Sequence, residues 1–168
     1  MAAMVEITSL QPDRWNDYRI LRLAALEQEP SAFGSSPEED GELAEGDWKD
    51  RMRHALFALD RGTPIGMIAF AQQSKRKTRH IAGIYGVYVA RGYRGQGVGH
   101  RLLGAALDAI QERAEIIKVR LAVNPEQLAA VRLYERHGFE TVGRFRRELC
   151  VDGVYYDDLI MERVVRWP

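Results

Sequence analysis

The 168-residue chain has one cysteine, Cys150, so it closes no internal disulfide, which fits a reducing compartment. Its four histidines (54, 80, 100 and 137) are dispersed, and with that single thiol they do not make a metal site by spacing. No apolar run approaches the roughly 20 residues of a membrane span. The opening Met1-Ala-Ala-Met-Val-Glu6 lacks the basic segment and apolar run of a secretory signal. Neither sign of charge is in excess: 24 Lys and Arg balance 24 Asp and Glu, so no global basic field argues for nucleic acid. Internal repeats, low-complexity tracts and dividing linkers are also missing. What remains, at 46% hydrophobic and 29% charged, has an ordinary globular composition. One soluble domain spanning 1–168 is expected, cytoplasmic, with room for a real core.

The most informative stretch runs from Val87 to Leu103. Val87, Tyr88 and Val89 have strand character, and Leu102, Leu103, Ala106 and Ile110 recur at helical spacing. Between them Gly92, Gly95, Gly97 and Gly99 permit positive φ and close approach of a ligand to the backbone. A helix opened this way presents unpaired N–H groups and its positive dipole end, which favours a phosphate. Arg94 adds a charge-assisted donor. Two phosphate-binding patterns are excluded. G-x-G-x-x-G fails because His100 or Leu102 stands in the last place, and no Gly-Lys-Ser/Thr triplet follows for a P-loop.

The rest of the chain reads as alternating elements. Val5 to Leu10 suggests a strand, and Asp13 is placed to cap a helix from Trp15 that stops near Glu29-Pro30. Ser31 to Gly41 is rich in turn formers, with a short helix over 47–54. Ala55 to Leu59 and Pro64 to Gln72 form a hairpin about Asp60-Arg61-Gly62-Thr63. Ser74-Lys-Arg-Lys-Thr-Arg79 is a basic tip, either a solvated turn or a contact for a cofactor phosphate or nucleic acid. Ile81 to Val89 is a strand in which Gly83 and Gly86 hint at a bulge or close approach. A helix to about Ala114 links it to a strand over 116–123, long enough for a parallel crossover. Asn124-Pro125-Glu126-Gln127 reads as a helix start, Asn124 capping and Pro125 in first position. That helix ends at His137-Gly138, and two strands, 141–150 and 154–161, close the chain about Val151-Asp152-Gly153.

Two motifs carry a resemblance. Arg94-Gly95-Gln96-Gly97-Val98-Gly99 stands as R/Q-x-x-G-x-G/A. Ala129 to Phe139 is similar to N-x-x-A-x-x-L-Y-x-K/R-x-G-F. Together they resemble the GNAT superfamily of acyl-CoA-dependent N-acetyltransferases, over essentially the full length. The resemblance implies an α/β fold with a mixed, mostly antiparallel central sheet flanked by helices. It also implies a splayed parallel strand pair at the cofactor site. Acetyl-CoA would be the cosubstrate, its diphosphate on Arg94, Gly95, Gln96, Gly97, Val98, Gly99 and His100. Backbone N–H groups of Val87, Tyr88 and Val89 would serve the pantetheine and acetyl carbonyl. Gln127 stands where the family has asparagine, and Ala130 and Tyr134 share its helix face. Gln127 can donate and accept hydrogen bonds but is also placed to cap its own helix. Tyr134 would be the catalytic residue, protonating or hydrogen-bonding the departing thiolate.

The resemblance leaves the acceptor open. A small-molecule primary amine, a protein N-terminus or lysine, and a non-catalytic acyl-CoA sensor all suit the motifs. His80, Tyr85, Glu27 or a water chain are candidates for the base. Glu38-Glu-Asp40 and Tyr155-Tyr-Asp-Asp158 would favour a cationic amine, although solvated turns have the same composition. No metal, nucleic acid or membrane partner is expected, and monomer and homodimer are both open.

Overall fold

The computed structural model describes residues 5–167. Its elements in chain order are β1 (Val5–Thr8), α1 (Trp15–Gln28), α2 (Pro37–Gly41), α3 (Glu45–Met52), β2 (Ala55–Asp60), β3 (Thr63–Gln72), β4 (Ile81–Val89), α4 (Val98–Gln111), β5 (Lys118–Val123), α5 (Leu128–Arg136), β6 (Glu140–Val151) and β7 (Val154–Val164). The strands hydrogen-bond into one mixed sheet in the order β1-β2-β3-β4-β5-β7-β6. β4 and β5 are parallel and joined through α4, as their spacing predicts. Their ladder covers Ile81–Lys118, Ala82–Val119 and Gly83–Arg120, while β4 continues beyond it to Val89. No described helix is long and apolar enough to cross a membrane.

The described residues form two compact units, one of the residues up to 69 with 86–107 and the other of 70–85 with those from 108 on. In the first, Tyr18, Leu21 and Ala25 line the buried stripe of α1, and they pack with Trp48, Met52, Phe57, Met67 and Tyr88. The Tyr18 ring meets Trp48 and Phe57 edge-on at 5.2 and 5.1 Å. In the second, Val119, Leu121 and Val123 alternate inward along β5, with Ile110, Tyr134, Phe139 and Met161 also buried.

Two hairpins follow directly from sequence. Arg61 and Gly62, at φ 48° and 82°, make the tight turn between β2 and β3. Asp152 and Gly153, at 49° and 80°, make the one between β6 and β7. Three expectations need correction. Asp13 caps nothing: it sits in a single 3-10 turn, Pro12–Arg14, ahead of α1. Ser31 to Gly41 is not all turn, because Ser36 and Glu39 form a reciprocal capping box that starts α2. Asn124 does not cap α5. Its side chain accepts the Glu126 N–H in a turn of its own, and helix begins only at Leu128.

Candidate active site

In the first unit, β4 ends at Val89 and the chain turns through residues 91–93 into the glycine segment. Gly95 and Gly97 take φ 74° and 79°, where a β-carbon is strained, and the space beside both is open. α4 starts at Val98, and its first described intrahelical bond runs from Arg101 N–H to the Gly97 carbonyl at 3.1 Å. The amides of Val98 and Gly99 stand in that opening turn, ahead of the first such bond. Gln96, exposed, donates from its side chain back to the Gly92 carbonyl at 3.0 Å, so it braces the turn. Arg94, exposed, donates from Nε to the Val89 carbonyl at 2.9 Å and lies over the Tyr88 ring at 5.7 Å. These groups suit a diphosphate: amide donors, an arginine, and no β-carbon at Gly95 or Gly97.

Arg94 is not idle. Its Nη1 lies 3.0 Å from Glu29 Oε1, and Arg91 approaches the same oxygen at 3.6 Å. Arg91 also donates to the Gln28 carbonyl, and the Tyr88 hydroxyl donates to Gln28 Oε1 at 2.7 Å. The end of α1 is thus tied to the glycine segment, and the Tyr88 side chain is part of that tie. Glu29 and Gln28 had no signal in the sequence, because the pairs span some sixty residues of chain. A carboxylate on Arg94 competes with a diphosphate for the same guanidinium. Glu29→Gln is expected to tighten coenzyme A binding, by no more than about fivefold for so exposed a pair. Calorimetric titration checks this.

Deeper in the same unit, Asp40 is 3% exposed at its side chain and accepts from Arg22 Nε at 2.9 Å and Arg51 Nη1 at 3.1 Å. Burial alone would raise its carboxyl pKa, but the two arginine hydrogen bonds and charges outweigh that and hold it below the usual carboxylate range. Of Glu38-Glu-Asp40, then, Asp40 is buried on arginines and Glu39 is spent in a capping box, so the run is no acidic groove.

The second unit carries Gln127, Ala130 and Tyr134. Gln127 is the residue before α5 and makes no side-chain capping bond, so its amide is not consumed by its own helix. Ala130 and Tyr134 stand four residues apart on α5. The end of this helix fixes the tyrosine. Gly138 takes φ 79°, its N–H reaches the Glu135 carbonyl at 2.9 Å, and the Phe139 N–H reaches that of Tyr134 at 3.1 Å. This is a Schellman closure, and its apolar contact is the Tyr134 ring against Phe139, edge-on at 6.0 Å. The motif residues Gly138 and Phe139 therefore hold the tyrosine by backbone geometry. Tyr134 is 5% exposed, and burial pushes its phenol well above the ordinary value of 10.0. It stays neutral throughout the working range.

The base candidates are scattered. Glu27 is exposed on α1. Tyr85 is 52% exposed, and its hydroxyl fills the place where a Gly83 side chain would stand. His80 uses its carbonyl to bind the Ile117 N–H at 2.9 Å. In the last hairpin, Asp157 accepts from Arg144 Nε at 2.7 Å and the Arg147 amide at 2.8 Å, which holds Arg147 at φ 54°. That carboxylate is committed to a bulge rather than offered to an amine. The basic tip is a hydrogen-bonded turn, with Thr78 N–H on the Lys75 carbonyl and Gln72 Nε2 on that of Arg79.

A parallel strand pair with a glycine-opened helix between its strands is the arrangement that the resemblance implied, and comparison agrees. The profile of the acetyltransferase (GNAT) family matches residues 15–139, and the chain belongs to that family. It is an acetyl-CoA-dependent acyltransferase acting on an amine. An L-amino acid N-acetyltransferase of Escherichia coli (strain K12) is 23% identical over 122 residues, covering 70% of this chain and 75% of that protein. A GNAT-family acetyltransferase from Streptococcus pneumoniae superposes with TM-score 0.85 at 22% identity, covering 96% of this chain and 99% of that one. A Salmonella typhimurium protein solved with acetyl-CoA gives 0.83 at 17% identity, covering 98% and 95%.

Proposed function

We propose that the whole chain, 1–168, works as one domain that acetylates the primary amine of a small molecule in the cytoplasm. The observation that carries this is the opening of α4: Gly95 and Gly97 at positive φ, with open space beside each, next to Arg94. Acetyl-CoA supplies an acetyl thioester. In this reading Arg94 and the amides from Gly95 to His100 hold the diphosphate, and the backbone of Val87 to Val89 orients the pantetheine and polarises the acetyl carbonyl. Gln127 replaces the family asparagine at the pantetheine, its amide being uncommitted, and small Ala130 allows close passage along α5. Tyr134 donates a hydrogen bond to the sulfur as negative charge develops there. A thiol titrates near 8.5. The Tyr134 phenol, raised above 10.0, is the weaker acid, so it stabilises the developing thiolate by a hydrogen bond and keeps its own proton.

Peptide acetylation finds no support in the Glu38 to Asp40 run, since that run builds no open acidic surface. The test is thiol release from acetyl-CoA across a panel of small amines and short peptides. Turnover with small amines and little with peptides is expected. Peptide turnover alone would reverse the assignment, and cofactor binding without turnover on any amine would make the chain a sensor.

A further inference from the structure

The Arg22, Asp40 and Arg51 cluster has two cations and one anion. Asp40 Oδ2 receives both guanidiniums, leaving one positive charge without a carboxylate among the described residues. Glu39, beside Asp40 in sequence, is turned to the Ser36 amide, and Asp50, beside Arg51, pairs with Arg53. Of the two cations, the Arg51 side chain is 38% exposed and open to water, whereas that of Arg22 is only 12% exposed. A desolvated cation is costly to keep without a counterion. Nor can Arg22 swing out to water: Nε is fixed on Asp40, and the guanidinium lies over the Phe33 ring at 4.9 Å. Its four Nη hydrogens enter no described hydrogen bond.

The position of that unused edge is informative. Nη1 stands 3.5 Å from where a β-carbon at Gly86 would be, and Gly86 takes φ 59° within β4. The next residues of β4 are Val87 to Val89, the backbone assigned above to the acetyl group. A fixed arginine fork beside the strand that presents the acyl carbon matches a planar carboxylate.

We propose that the acceptor carries a carboxylate close to its amine, as an α-amino acid does, and that the Nη edge of Arg22 binds it. This inference rests on the acetyl-transfer reading and names its substrate class. Arg51 shares the Asp40 carboxylate oxygen, so that carboxylate does not neutralise Arg22 alone. Arg22 is a specificity determinant and takes no part in moving the acetyl group.

The experiment pairs α-amino acids with their carboxamides, which keep the amine and remove the negative charge. Thiol release is measured for parent, Arg22→Gln and Arg22→Lys, with thermal unfolding of each. In the parent, kcat/KM for the best acid should exceed that for its amide by roughly 10- to 100-fold. Arg22→Gln should abolish that ratio by lowering the acid alone, with the KM for acetyl-CoA unchanged, and Arg22→Lys should restore part of it. Equal parent rates on acids and amides would overturn the inference, as would an Arg22→Gln loss common to both. Turnover confined to amines without a carboxylate overturns it too but leaves acetyl transfer standing. Turnover with no amine at all removes both. If Arg22→Gln does not fold, the parent ratio and Arg22→Lys still decide.

Discussion

Tyr134→Phe is expected to lower kcat by about 10²–10⁴-fold while coenzyme A affinity stays within a few-fold of the parent. The substitution deletes one hydroxyl and keeps the ring that packs on Phe139, so the closure at Gly138 survives. What is lost is the hydrogen bond that strengthens as charge collects on the departing sulfur, an interaction made mainly in the transition state. Single-turnover thiol release, with calorimetric titration of coenzyme A, separates this from damage to binding. An unchanged kcat would remove Tyr134 from the chemistry. The same variant has a second signature. Burial raises the folded-state pKa above that of an exposed tyrosine, so the folded state holds its proton longer as pH rises. The stability tied to that proton is complete below about pH 10 and declines above it. Tyr134→Phe should therefore gain on the parent above about pH 10 in thermal unfolding, and not below.

Asp40→Asn should cost about 3–5 kcal/mol of stability, the scale on which removing one partner strands a buried charge. Here two guanidiniums lose their common anion, one of them on a side chain only 12% exposed. Denaturant unfolding at neutral pH reads the difference directly. Its pH dependence has a definite sign. The folded carboxyl titrates below the unfolded value of roughly 3.9, so the contribution is complete above that value. It disappears as pH falls through the folded value. The gap between parent and Asp40→Asn should stay constant above about pH 5 and close in acid.

The elements legible in the sequence were those whose cause is local. The turns at Arg61-Gly62 and Asp152-Gly153, the left-handed close at Gly138 and the alternation along β5 each follow from a few adjacent residues. The mixed sheet and its parallel pair followed from the order of elements. The capping box at Ser36 and Glu39 was equally local, and it was masked by the turn-forming residues around it. Asn124 misled for a related reason: the side chain that favours a helix cap favours a free-standing turn as well, and Pro125 suits both.

Long-range pairs were illegible. Nothing near Arg94 announces Glu29, and nothing near Arg22 announces Asp40, because folding alone brings them together. The one trace was Arg22 itself, set between Tyr18, Leu21 and Ala25 on the apolar stripe of α1, where a surface cation does not belong. The acidic runs erred in the opposite direction. Asp40 and Asp157 stand in runs that suit a cationic amine or a solvated turn, whereas Asp40 is spent on two arginines and Asp157 on Arg144 and the Arg147 amide.

Most depends on where coenzyme A places its diphosphate, and a crystal structure with the ligand bound reads that directly. Its phosphate oxygens should lie within hydrogen-bond distance of the amides between Gly95 and His100, with Arg94 turned from Glu29 towards them. Phosphates resting on any other segment, with those amides left to water, would contradict the assignment.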